Sequence, residues 1–265
     1  MRLLIVFIPF LLFLPKKDLD CLNCSDDNKF SVLVITETSG FKHKSINAGL
    51  DLIKQLGNEN KFNVYSSNNS DSITAENLEN ISSIIFLNTS GDILNLNQQE
   101  VMEEFIKEGK GFVGIHSATD TEYDWDWYGG LVGAYFKSHP IGTAKAKINT
   151  IISEHISTKH LEKEWEIRDE WYNFYNINPN INILLNLDET SYRGGKHGQN
   201  HPITWFHEYS GGRSFYTGLG HLVGTYLDER FIDIFKSDRY SRIMNYLASP
   251  KFNAQKMCGN LCLQH

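Results

Sequence analysis

The stretch Gly111-Phe112-Val113-Gly114-Ile115-His116-Ser117-Ala118-Thr119-Asp120 decides the fold. Its apolar run, Phe112 to Ile115, predicts a buried β-strand that ends abruptly at small and polar residues. Gly114 to Ala118 has the spacing of a nucleophile elbow, in which a sharp turn after a strand lifts one side chain clear of the sheet. The tip of such an elbow is normally Ser or Cys. Here it is His116, so the usual nucleophile is missing.

The segments around this strand alternate between strand and helix patterns. Ser31 to Thr36 is a β-branched apolar run, and a helical repeat of apolar residues follows from Ile46 to Gly57. This alternation predicts a parallel sheet with helices on both faces, carrying cap-like loops over 120–142 and 188–202. Further strands are expected at 62–66, 84–87, 145–152, 182–187, 204–209 and 213–218, and helices at 74–79, 98–108 and 225–248.

Polar residues follow several of these predicted strands. His43 comes after the first strand, Asn88 after the third, His116 after the fourth, and His221 after the run 215–220. In an open parallel sheet, ligands bind beyond the carboxyl ends of the strands. We therefore expect these four side chains to converge on one rim of the sheet.

The composition is typical of a globular domain and argues against one class of partner. The net charge is −7, and Lys and Arg are scattered without a basic stripe, which argues against nucleic acid as a partner. Aromatic residues make up 12% of the chain and often adjoin Gly, His or acidic residues. They favour a carbohydrate or small-molecule cleft about as strongly as they favour ordinary packing.

The N-terminus predicts a targeting signal. Arg2 precedes an apolar run, Leu3 to Leu14, which is too short for a transmembrane helix and typical of a signal peptide. No clear cleavage motif follows, so an uncleaved anchor stays open as the only route to the membrane. The predicted location is secreted, periplasmic or membrane-anchored extracytoplasmic. The predicted division is a signal or anchor at 1–20, a linker at 21–29, one α/β domain at 30–248 and a tail at 249–265.

The cysteines lie at the two ends of the chain. They are Cys21, Cys24, Cys258 and Cys262. In an oxidising compartment they would form disulfides, and sequence does not choose among the three connectivities. A zinc site built from the two pairs is the alternative.

Nine short segments between about residues 30 and 248 carry a family resemblance. They are SGFKH at 39–43, FLNTSGD at 86–92, GFVGIHSA at 111–118, DWDWYG at 124–129, LVGAYFKSHP at 131–140, DEWYNF at 169–174, HPI at 201–203, GGRS at 211–214 and YTGLGH at 216–221. Together they resemble the trehalose-utilisation (ThuA-like) family, although no single segment would suffice.

The resemblance implies both a fold and a substrate class. The fold is a class I glutamine amidotransferase-like variant, a flavodoxin-like three-layer α/β sandwich with a mostly parallel sheet. True amidotransferases carry Cys where this chain has His116, so glutamine hydrolysis through a thioester is excluded at that site. The family is associated with catabolism of trehalose-type disaccharides and oxidised keto-sugars.

The predicted catalytic pair is His116 and Glu170. An imidazole at an elbow tip titrates near neutrality and can act as acid, base or metal ligand. Glu170 adjoins aromatic residues, which predicts a carboxyl that acts as an acid, and an ion pair with Arg168 explains it equally well. The predicted substrate-binding residues are His43, Asn88, Ser117, Asp120, Trp127, Tyr128, His139, Trp171 and His221.

The predicted function is an exported protein that cleaves a glycoside or keto-sugar, by hydrolysis or lyase chemistry, with histidine acid/base groups. An acid/base pair of His116 and Glu170 needs no metal. A divalent metal is the alternative, with His43, His116, His139 and His221 as candidate ligands, although no compact metal motif is present. A non-catalytic carbohydrate-binding module and a metal-dependent hydrolase are the other functions left open. The expected partner is a sugar or glycoside, and a homo-oligomer stays open.

Overall fold

The computed structural model describes residues 30–235. Within this range, no helix combines the length and hydropathy needed to cross a membrane. The helices are α1 (Ile46–Asn60), α2 (Ala75–Leu78), α3 (Leu96–Lys107), α4 (Asp126–Val132) and α5 (Glu229–Phe235).

A nine-stranded mixed sheet organises the described residues, in the order β2-β1-β3-β4-β11-β10-β9-β6-β7. Its strands are β1 (Ser31–Ile35), β2 (Asn63–Ser67), β3 (Ser83–Leu87), β4 (Gly111–Ile115), β6 (Ala144–Thr150), β7 (Glu164–Asp169), β9 (Asn182–Leu187), β10 (Pro202–Tyr209) and β11 (Gly212–Thr217). The remaining strands, β5 (Tyr135–Ser138) and β8 (Asn173–Tyr175), form a separate antiparallel pair.

The first half of the sheet is parallel from β2 to β11. Both faces of β1 are buried because its side chains alternate between two cores. Val32 and Val34 pack with α1 and α5, whereas Leu33 and Ile35 pack with α3 and α4. This burial on both faces is why the sequence shows continuous apolar runs here rather than an alternating pattern.

The second half, from β11 to β7, is antiparallel at every pairing. Among the described strands of the sheet only β10 and β6 run against the others, so β7 ends at the same edge as β4. A flat sheet would separate β4 from β7 by five strand spacings, about 24 Å. Glu170, which follows β7, nevertheless lies 3.5 Å from His116, which follows β4. The antiparallel half therefore curls back over the carboxyl edge of the parallel half.

The α/β fold class and its mostly parallel strand direction are confirmed. The predicted helix end at Gly57 is one turn too early, because α1 continues to Asn60 and the chain reverses at Lys61, which is left-handed at φ 59°. The expected loop 120–142 contains α4 and β5, and β7 and β8 were not predicted. The signal or anchor, the four cysteines and residues 236–248 of the last predicted helices lie outside the described residues.

Candidate functional site

The elbow after β4 holds His116 in a fixed orientation. Its backbone is left-handed, with φ 49°, and its side chain is fully buried. Nδ1 lies 2.8 Å from the Gly218 carbonyl oxygen. Because a carbonyl only accepts, Nδ1 carries the proton, and the lone pair of the neutral ring is on Nε2. A Cβ on Gly114 would meet Ala118 and Tyr216 at 3.1 Å, which explains the small residue within this turn.

Two further histidines face this ring. The centroid of His43 lies 4.7 Å from that of His116 and 5.1 Å from that of His221, and the His116–His221 distance is 5.4 Å. Ser117 Oγ lies 3.3 Å from His43 Nδ1. Three strand ends thus bring three imidazoles together, as expected from their positions in the chain.

Glu170 closes the group from the opposite half of the sheet. Its Oε2 lies 3.5 Å from His116 Nε2 and 3.1 Å from His221 Nδ1. Both ring nitrogens are buried, and neither makes a hydrogen bond of acceptable geometry with any described residue. We call His43, His116, Glu170 and His221 the rim cluster.

Buried Asp169 fixes the two sides of the rim cluster to each other. Its carboxylate accepts hydrogen bonds from both β7 and the loop that carries His221, so the position of Glu170 is tied to that of His221. The donors are the backbone N–H groups of Glu170 (2.9 Å), Gly220 (2.8 Å), His221 (3.1 Å) and Leu222 (3.2 Å) and the hydroxyl of Thr225 (2.8 Å).

The pKa values in the rim cluster are shifted in different directions. Burial, together with the neighbouring His116 and His221, lowers the pKa of His43 to about 3, so this ring is neutral at neutral pH. Burial alone raises the pKa of Glu170, but the facing rings of His116 and His221 lower it by more, and the net shift is downward. Contact with Glu170 raises the pKa of His221.

The rim cluster has the donor set of a metal centre. One ligand atom from each residue lies within 4.8 Å of the others. A single ion with bonds of about 2.0–2.2 Å spans nearly this distance. Three imidazoles with one carboxylate suit divalent transition metals, and the Gly218 carbonyl behind His116 is the kind of partner that orients a ligating histidine. The unpaired His116 Nε2 and His221 Nδ1, with the Glu170 carboxylate that both face, fit such an ion.

Two other predicted residues lie beside the rim cluster. His139 Nδ1 is 3.3 Å from Glu170 Oε1 and 2.7 Å from the Pro140 carbonyl, and its side chain is 40% exposed. It is outside the group of four, so it borders the cluster rather than completing it. Asp120 accepts a hydrogen bond from the Tyr123 hydroxyl. Burial raises the pKa of Asp120, although Tyr123, His116 and His139 each act to lower it.

Of the remaining predicted residues, Asn88, Tyr128, Trp171 and Ser117 are buried and Trp127 is half-buried. Asn88 is fully buried and donates to Ser45 Oγ at 2.9 Å and to the Gly220 carbonyl at 3.2 Å. Tyr128 and Trp171 belong to the hydrophobic cores, and Trp127 packs at 5.0 Å against Trp125. Their positions do not support the prediction that these four bind substrate. Ser117 is also fully buried, and its contact with His43 gives it a supporting position.

Sequence reasoning missed two contributors to the site. Tyr172 packs its ring 4.3 Å from that of His116, and Asp169 makes the hydrogen bonds described above. Both lie within two residues of Glu170 in the chain, so their position in the segment 169–172 is the sequence feature that could have identified them.

A second histidine–glutamate group lies in the loop 188–202. His201 Nδ1 is 2.7 Å from Glu189 Oε1, and its Nε2 is 2.8 Å from the Tyr172 carbonyl. His197 Nε2 accepts the Phe174 N–H at 2.9 Å. We call Glu189, His197 and His201 the loop cluster.

Comparisons with known proteins place the chain in a family. The profile of the ThuA family, described as trehalose utilisation, matches residues 31–237. Among curated proteins, none matches the chain. The chain therefore belongs to the ThuA family.

Solved structures show the same fold at low sequence identity. A ThuA-like protein from Bacteroides uniformis has a TM-score of 0.66 and 20% identity, covering 82% of this chain and 96% of its own. A second, from Parabacteroides merdae, has a TM-score of 0.59 and 19% identity, covering 72% and 80%. A cytoplasmic protein from Salmonella typhimurium has a TM-score of 0.58 and 12% identity, covering 83% and 100%. The family supports a carbohydrate-related role, and these structures support the fold.

Proposed function

We propose that the chain is a metal-dependent enzyme of carbohydrate catabolism that cleaves a glycoside or keto-sugar at the rim cluster. The family supports the substrate class. One observation carries the chemistry: His116 Nε2 and His221 Nδ1 are buried without hydrogen-bond partners among the described residues, and both face Glu170 Oε2. Orphaned buried nitrogens cost free energy, and a bound cation removes that cost.

His43, His116, Glu170 and His221 would hold the ion. A bound divalent metal supplies Lewis acidity toward a carbonyl or hydroxyl oxygen of the sugar. The protein's part is to orient these ligands. The Gly218 carbonyl does this for His116, Ser117 for His43, and Asp169 for Glu170 and His221.

His139 and Asp120 are the groups that exchange protons with the substrate. With Nδ1 of His139 facing Glu170 and the Pro140 carbonyl, Nε2 is the nitrogen left for a ligand. The raised pKa of Asp120 lets this carboxyl hold a proton closer to neutral pH than an exposed one.

On a 3-keto-glycoside, His139 and Asp120 are sufficient to supply the base and the acid of a lyase reaction. A base removes the proton at C2, next to the keto carbon, and its electron pair forms the C1–C2 double bond. The bond from C1 to the glycosidic oxygen breaks, and that oxygen leaves with a proton from the acid. In hydrolysis, water supplies the oxygen that replaces the aglycone at C1.

The experiment combines metal analysis with a substrate panel. Wild-type protein is expected to retain about one divalent ion per chain and to cleave trehalose, methyl glucosides or their 3-keto forms. His116→Ala should lose both the ion and turnover. His155→Ala is the matched control, because His155 packs on Phe206 outside the rim cluster.

The outcomes separate this proposal from its alternatives. Turnover that survives chelation and still depends on His116 would support metal-free acid/base chemistry by His116 and Glu170. Sugar binding without turnover would support a non-catalytic module. The approach of the three rings to within 5.4 Å of one another supports a reactive site over the module.

Export is a separate proposal that rests on the apolar run at residues 3–14. Cell fractionation of the full chain, compared with a variant carrying Lys within this run, tests it. Recovery of both proteins in the same compartment would contradict export.

A further inference from the structure

A cleft of about 540 Å³ opens beside the rim cluster. His43 and His221 line it, so it reaches two members of the cluster directly. Two loops form the rest of its walls: one contributes Phe41 and Lys44, and the other contributes residues 222–224. A space of this size accommodates a substituent of a substrate whose reacting bond lies at the cluster.

Both loops are held in place by hydrogen bonds. The Phe41 carbonyl accepts the Ser90 hydroxyl at 2.9 Å, and the N–H groups of Ser39 and Gly40 donate to the Ser90 carbonyl. Asp169 accepts the N–H groups on the other wall, including that of Leu222. The cleft is therefore preformed, and its occupant does not need to order it.

The exposed surface of the cleft is apolar. Phe41 is 63% exposed and Val223 46% exposed, although both lie on these anchored loops. The Phe41 ring stands edge-on to His43 at a centroid distance of 4.8 Å, next to the rim cluster. Covering a solvent-exposed aromatic ring with a flat apolar group is favourable, because both surfaces then leave water.

We propose that this cleft binds the leaving group of the substrate and favours a planar aromatic aglycone over a second sugar ring. The inference rests on the proposed function and adds a substrate class to it, the aryl glycosides. Sugar hydroxyls need hydrogen-bond partners when they leave water. The side chains of Phe41, Leu222 and Val223 offer no hydrogen-bond partner. The two histidines belong to the rim cluster, so Lys44 is the remaining polar side chain of the wall.

Calorimetric binding to the metal-loaded protein tests the inference without requiring turnover. The probes are 4-nitrophenyl glucoside, as both anomers, and trehalose. Wild-type protein should bind an aryl glucoside more tightly than trehalose. Phe41→Ala should weaken aryl glucoside binding about 10-fold and trehalose binding less than about 2-fold, because only the aromatic contact is lost. Phe41→Trp should preserve the preference.

Leu227→Ala is the matched control, because Leu227 is 73% exposed and does not line the cleft. Equal weakening of both ligands by Phe41→Ala, no weakening of either, or tighter binding of trehalose by the wild type would overturn the inference. Absence of binding by both probes would overturn it as well. If binding depends on Phe41 but no sugar is turned over, the cleft assignment stands and the proposed enzymatic function fails.

Discussion

The rim cluster and the loop cluster contain the same residue types but differ in how they use their nitrogens. In the loop cluster, Glu189 and the Tyr172 carbonyl satisfy His201 on both sides. In the rim cluster, His116 Nε2 and His221 Nδ1 have no hydrogen-bond partner among the described residues. A histidine–glutamate contact is therefore no sign of function by itself. What favours the proposed cation in the rim cluster is the pair of ring nitrogens left without a hydrogen bond beside a shared carboxylate.

The largest expected effect is on metal affinity. His221→Ala removes one of four ligands, so the affinity for Zn²⁺ or Mn²⁺ should fall by at least about 100-fold, more than the loss of an outer partner costs. The metal-free protein should keep its fold, because the backbone N–H of residue 221 can still donate to Asp169. Isothermal titration and thermal denaturation measure the two quantities.

If His221→Ala leaves metal affinity intact, the rim cluster is not the metal centre. His155→Ala serves again as the control for removing a histidine elsewhere.

The reciprocal change in the loop cluster should affect stability instead. His201→Ala removes a fully buried ring, its contact with Glu189 and its hydrogen bond to the Tyr172 carbonyl. We expect a loss of about 2–3 kcal/mol and a melting temperature lower by roughly 4–12 °C. Metal content should stay at the wild-type level. Loss of the ion with an unchanged melting temperature would reverse the assignment of the two clusters.

A smaller effect is expected behind the rim cluster. Ser117 contacts His43 Nδ1 at 3.3 Å and so helps to orient this ring. Ser117→Ala should weaken metal binding by about 10-fold, which is typical of an outer-shell partner. Ser191→Ala is the control, because its hydroxyl contacts Lys147 and Asp188 in the loop region instead. Equal affinity in both variants would show that Ser117 does not orient His43.

The smallest effect is a pH dependence of stability in the loop cluster. Burial, together with the neighbouring His201 and Lys137, lowers the pKa of His197 from 6.5 to about 4, although Glu189 acts in the opposite direction. The unfolded chain therefore takes up this proton before the folded protein does. Stability from His197 is complete above pH 6.5 and declines as the pH falls toward 4.

Thermal denaturation across this range measures the decline. His197→Gln keeps an acceptor for the Phe174 N–H but cannot titrate, so its melting temperature should depend less on pH than that of the wild type. Parallel curves for the two proteins would contradict the assignment.

The sequence predicted the parallel half and its histidines because both depend on local pattern. β-Branched apolar runs mark β1, β3 and β4, and a polar residue at the end of a parallel strand has a defined edge. It could not predict that β7, five strands from β4, returns to that edge, because this depends on the curl of β10, β9 and β6. The aromatic neighbours of Glu170 mark it in the sequence. Asp169 has no such local mark, because four of its five hydrogen bonds are to residues more than 50 positions away.

Residue type alone did not show which aromatic side chains are exposed. Trp127, Tyr128 and Trp171 suggested a surface for stacking sugars, yet Tyr128 and Trp171 fill the interior. Phe41, an unremarked member of the SGFKH segment, is the aromatic ring exposed at the cleft.

The curled sheet has a consequence for how the molecule folds. His43 and His116 follow β1 and β4, whereas Glu170 arrives only when the last strand of the antiparallel half has docked. An ion shared by all four residues would bind the protein with the complete sheet and would have little affinity for a state in which the antiparallel half is detached. By mass action such an ion would add RT ln(1 + [L]/Kd) to the free energy of keeping the two halves together. Catalytic competence and the closure of the sheet would then be one equilibrium, set by the supply of free metal.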